Sequence, residues 1–149
     1  MKKSILTVAL LLGFAIMTRA QDAPKKVTDA FNAKFKNAEY VEWELEDNAE
    51  WGAEFEIDGK VFEARFSKEG IWKETAYEIE EIALPKAVKT TLSTKYPKHE
   101  IYTSRVVELQ DSKSYKFELG NDSEMVMLSM DETGKILKTE VEKFEEEDY

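Results

Sequence analysis

The chain has 149 residues, no cysteine, one histidine and a formal net charge of −10 at pH 7. The missing cysteine excludes disulfides, thiolate nucleophiles and cysteine-held metals, and the acidity disfavours nucleic acid and anionic membrane surfaces. This length makes one domain, or two very small lobes sharing a core.

Residues 1–20 read as a cleavable export signal. Lys2 and Lys3 form a positive start, Ile5 to Met17 an uncharged apolar run, and Thr18-Arg19-Ala20 a cleavage site with small residues at −3 and −1. The run is too short to span a bilayer, and no later apolar stretch can act as an anchor. Cleavage removes three basic residues and no acid, so the net charge of residues 21–149 becomes −13. The residue after the cut is Gln21, which excludes a lipid anchor on an N-terminal cysteine. A periplasmic or secreted protein is expected, with no membrane insertion after cleavage.

A helix opens at Pro24, where the first turn tolerates a missing N–H. Val27, Phe31 and Phe35 fall four apart on one face, and Asn37 marks its exit. The period then changes to two. Val41, Trp43 and Leu45 alternate with Tyr40, Glu42 and Glu44; Trp51, Ala53, Phe55 and Ile57 with Glu54 and Glu56; Phe62, Ala64 and Phe66 with Glu63 and Arg65. Such alternation predicts antiparallel strands with one face on a core. Asp58-Gly59 is a two-residue hairpin signal, and Ser67 to Gly70 turns the chain into a fourth strand, Ile71–Ile79.

The plan then repeats. PKKVTDAFNAKF from Pro24 and PKAVKTTLSTKY from Pro85 share four identities in twelve at an offset of 61. Leu84, Val88, Leu92 and Tyr96 form the second helical stripe, with Pro97 at its exit. Strands follow at Ile101–Leu109, around Tyr115, Phe117 and Leu119, at Glu124–Met130 and at Lys135–Lys143. The chain is thus expected to be α+β: two tandem α-β-β-β-β repeats, 21–80 and 81–144, form an antiparallel eight-stranded sheet with both helices on one face. Residues 145–149 are an acidic tail.

The helix, the Trp43 strand, the Phe55-Glu56-Ile57-Asp58-Gly59 hairpin and the Phe66-Ser67-Lys68-Glu69-Gly70 turn resemble the PepSY-like family, also described as beta-lactamase-inhibitor-like. The resemblance covers nearly all of the mature chain, more convincingly in the first repeat. It implies a small exported bacterial protein with a saddle-shaped sheet, and protein binding on the free sheet face. No catalytic residues belong to the family's pattern, so none is carried over.

The residues read independently also give no enzyme. His99 stands just past a helix end with no partner visible, and no G-x-S-x-G elbow, GxGxxG or P-loop is present. Acidic turns at Glu46-Asp47-Asn48 and Asp131 to Gly134 lack the spacing of a calcium loop, so neither cofactor nor metal is expected. Function falls instead to the outward sheet face. In the first repeat it is expected to carry Tyr40, Glu42, Glu44, Glu54, Glu56, Glu63, Arg65, Trp72 and Glu74. In the second, Val126, Leu128 and Met130 turned inward force Met125 and Met127 outward. Ile136 joins them if Leu137, Thr139 and Val141 face inward. For the first strand of that repeat the facing stays open between Tyr102/Val106 and Thr103/Val107. Aromatics and methionine are enriched in interface cores. The expectation is a protein or peptide partner in the envelope, bound on this face, with inhibition of an envelope enzyme as one form of that binding. The alternatives are a small-ligand or metal-responsive protein, or a self-associating component using its edge strands.

Overall fold

The computed structural model describes residues 22–144. The expected signal, 1–20, and tail, 145–149, lie outside the described residues. Helix α1 (Lys25–Lys34) leads into β1 (Glu39–Leu45), β2 (Trp51–Ile57), β3 (Lys60–Phe66) and β4 (Trp72–Glu78). Helix α2 (Lys86–Lys95) leads into β5 (Glu100–Glu108), β6 (Lys113–Gly120), β7 (Glu124–Asp131) and β8 (Ile136–Lys143). The strands form one antiparallel sheet in simple sequence order, so each turn or connection joins neighbours.

Both helices bury their stripes on the same face. Val27 and Phe31 of α1 pack on Trp51, Ala53, Phe55, Ala64 and Phe66; Val88 and Leu92 of α2 pack on Val106, Tyr115, Phe117, Leu119, Val126, Leu128 and Met130. Phe31 meets Phe55 edge-on at 4.9 Å between ring centroids. Burying each such ring contributes about 1.5–3 kcal/mol before entropy is charged against it. The two clusters join where Phe62 and Tyr77 come to 5.2 Å between centroids. Leu45, expected inward, is exposed at the last position of the edge strand β1.

The same turn device closes both repeats. Gly70 and Gly134 have positive φ, and each lies against the first turn of its helix. A Cβ on Gly70 would come within 2.5 Å of the Lys26 carbonyl oxygen, and one on Gly134 within 2.5 Å of that of Ala87. Glycine therefore serves both the turn and the close approach of two backbones.

Just beyond each glycine the fourth strand carries a bulge. Arg65 pairs with Glu74 but Phe66 with Trp72; Ser129 pairs with Lys138 but Met130 with Ile136. One extra residue on the longer strand changes which side chains share a face.

Candidate interaction face

The side of the sheet away from the helices follows from the register. Across its first half run Glu42, Glu54 and Glu63 on successive strands, with Glu39 opposite Glu56. Directly opposed like charges each cost a few tenths of a kcal/mol or more, so the fold gains nothing from this row. Arg65 relieves part of the charge. Its guanidinium lies 3.0 Å from Glu46 Oε1 and 3.4 Å from Glu74 Oε1. The bridge passes over Gly52, where a Cβ would come within 2.9 Å of Glu46 Oε1. Burial pushes the Glu46 carboxyl above its usual range, against the pull of Arg65.

The second half differs. Arg105 Nη2 reaches back to Glu63 at 2.7 Å, beside the paired and buried Ala76 and Val107 at the junction of the repeats. Lys116 stands opposite Arg105. Met127 lies opposite Glu118 and Glu140, and Met125 opposite Gly120 and Glu142. Tyr102 lies over Gly120, its ring filling the space that a Cβ would occupy at 2.5 Å from Cε2. Tyr102, Met125 and Met127 thus form an apolar end to a face that is acidic at the other.

A family model described as "Putative beta-lactamase-inhibitor-like, PepSY-like" matches residues 52–138, more than half of the chain. The chain belongs to this family. Solved structures agree in fold. A BLIP-like protein from Bacteroides fragilis is 21% identical with a TM-score of 0.73, covering 87% of this chain and 93% of its own. A DUF2874 family protein from Bacteroides ovatus is 21% identical with a TM-score of 0.75, covering 81% and 89%. A structure from Bacteroides eggerthii described as "putative periplasmic proteins" is 16% identical with a TM-score of 0.75, covering 81% and 90%. At these identities the likeness is one of fold. No curated protein matches the chain.

Within this PepSY-like fold the expected site residues divide. Glu42, Glu54, Glu56, Arg65, Met125 and Met127 lie on the uncovered face, the two methionines half-buried. Tyr40 is 77% exposed at a bulge in β1, with φ of 53°. Trp72 and Ile136 do not share that face. Trp72 packs on the α1 cluster, where its Nε1–H donates to Thr75 Oγ1 at 2.9 Å and the Lys34 ammonium sits 3.8 Å from its ring. Ile136 packs on the α2 cluster.

The bulges are the reason for both corrections: each turns the first residue of the fourth strand toward its helix. Strict alternation missed this, but one signal was available. Phe66 to Trp72 and Met130 to Ile136 have the same spacing around a turn glycine.

In β5 a bulge between Ile101 and Thr103 settles the open facing. Ile101 and Val106 pack on the α2 core, Thr103 and Val107 stand on the other face opposite Glu118 and Ala76, and the extra residue Tyr102 stands out with them over Gly120. Tyr102 is the face residue that alternation could not assign.

His99, read as partnerless, is held in place. Its Nε2 lies 3.0 Å from Glu124 Oε1 and 3.2 Å from Asn121 Nδ2, and Tyr96 meets its ring edge-on. Asn121 Oδ1 accepts from the Ser123 and Glu124 backbone amides, which fixes the turn that brings Glu124 to the histidine. The side chain is 11% exposed, so the group ties the end of α2 to the β6–β7 turn. Among the described residues no group of three or more His, Cys, Asp or Glu side chains is placed to hold a metal ion. No described helix is long and apolar enough to cross a membrane.

Proposed function

We propose that the chain is an exported, non-enzymatic binding module that docks a protein or peptide partner on its uncovered sheet face. Tyr102, Met125 and Met127 supply the apolar contact, and the Glu42–Glu54–Glu63 row selects partners by charge. One observation carries this reading: both helices cover one face, while the other sets directly opposed glutamates beside half-buried methionines. A sheet that breaks its own pairing rule without a gain in stability is a functional candidate. The family description and the BLIP-like relative support a binding role, and inhibition of an envelope enzyme is its most specific form. The apolar run at Ile5–Met17 and the relative described as periplasmic support export.

Crosslinking in an envelope extract, followed by mass spectrometry, tests the reading. Wild type should capture a defined protein that Met125→Glu plus Met127→Glu loses and Lys25→Ala, on the far side of α1, retains. Capture that survives the methionine changes would sink the face assignment.

A further inference from the structure

The β8 edge carries exposed apolar residues that the α2 core does not use. β8 pairs only with β7, and its far side adjoins no strand among the described residues. The α2 cluster reaches Ile136 and stops there. Beyond it, Val141, opposite Val126 on the helix side, is 50% exposed, and Leu137, the extra residue of the bulge, which alternation from Lys138 puts on the same side, is 54% exposed; Lys138 and Glu140, opposite Ser129 and Met127, take the other face.

We propose that β8 pairs antiparallel with β8 of a second copy, about a two-fold axis through Thr139. A two-fold perpendicular to the sheet keeps each face continuous, so it must pass through a residue rather than between two. Centring on Glu140 sets Glu140 against its own copy, and centring on Val141 sets Glu140 against Glu142 twice. Centring on Lys138 sets two lysines together. Leu137 lies in the bulge, and of the remaining centres only Thr139 leaves no like charges opposed. It places Lys138 opposite Glu140 twice on the outer face, and Leu137 opposite Val141 twice on the helix side. Opposite-charge and apolar cross-strand pairs are the unit of sheet stabilisation.

The bulge at the start of β8 bounds this ladder to Leu137–Val141. The other edge offers no such match: β1 carries Glu39, Glu42 and Glu44, and Tyr40 at positive φ interrupts it. Pairing through β8 joins two eight-stranded sheets into one and sets their uncovered faces side by side. The ladder is short, so the dimer is weak and concentration-dependent. This β8 pairing does not depend on what binds the sheet face.

Sedimentation equilibrium of the purified protein from about 10 µM to about 1 mM, the range of weak association, tests it. The wild-type average mass should rise toward twice that of the monomer. Lys138→Glu and Glu140→Lys each oppose like charges twice and should weaken dimerisation roughly tenfold. The double exchange, Lys138→Glu with Glu140→Lys, restores both pairs and should recover wild-type association. Far-UV circular dichroism and a thermal melt check that each variant is folded. A wild type that stays monomeric throughout, or a double exchange as weak as the single changes, overturns the proposal.

Discussion

Replacing Gly70 by alanine separates two costs that glycine avoids here. Gly59 supplies the reference, because it too has positive φ, 73° against 84° at Gly70, yet a Cβ on Gly59 would meet nothing within 4 Å. Gly59→Ala therefore carries only the left-handed backbone penalty, about 1–2 kcal/mol. At Gly70 the new methyl would also stand 2.5 Å from the Lys26 carbonyl oxygen and 3.0 Å from its carbon. Those are backbone atoms of α1, so the helix itself must move off the sheet, loosening Val27 and Phe31. Overpacking of this kind costs a further 1–3 kcal/mol or so. Gly70→Ala should thus destabilise by roughly 2–5 kcal/mol, a large share of the 5–15 kcal/mol typical of a domain. Gly134→Ala should behave alike, with Ala87 and Thr91 in the way. Urea unfolding of the three variants with a shared slope gives the comparison. A Gly70→Ala cost within about 0.5 kcal/mol of that of Gly59→Ala, half the smallest overpacking penalty, would refute the docking of turn on helix.

Trp72→Ala should cost about 2–4 kcal/mol in the same assay, since it removes a core-side ring and leaves the buried Thr75 hydroxyl without its donor. The folded variant should still capture any sheet-face partner; loss of capture with wild-type stability would return Trp72 to the interface. Glu46→Gln should alter the pH dependence of stability. Because the folded carboxyl titrates above its ordinary 4.5, folding favours the protonated form, so that contribution is full below about pH 4.5 and lost as pH rises through the folded value. Wild type should therefore gain stability relative to Glu46→Gln as pH falls from 7 to 4.5, measured by urea unfolding at each pH. A flat or opposite trend would contradict the burial of Glu46.

Much of the architecture was legible because burial imposes a period on the chain. The spacing of four in Val27, Phe31 and Phe35, and of two in Trp51, Ala53 and Phe55, is the spacing that puts side chains on one side of a helix or a strand. The repeat at an offset of 61, the turn glycines and the Asp58-Gly59 hairpin added the order of elements. Periodicity also placed Glu42, Glu54, Glu56, Arg65, Met125 and Met127 on one face. It carries no information on what stands across a strand. The bulges opposite Phe66 and Met130, which turn Trp72 and Ile136 onto the helices, depend on the register between neighbouring strands. So do the placing of Tyr102 over Gly120 and the meeting of His99 with Glu124, residues brought together by folding. Which segments become strands and helices, and which residues need a core, follows from the order of apolar and polar residues along the chain. Which face the residues beside each bulge take depends on strand pairing, because an extra residue opposite one partner reverses the alternation at a point that only the paired strand defines.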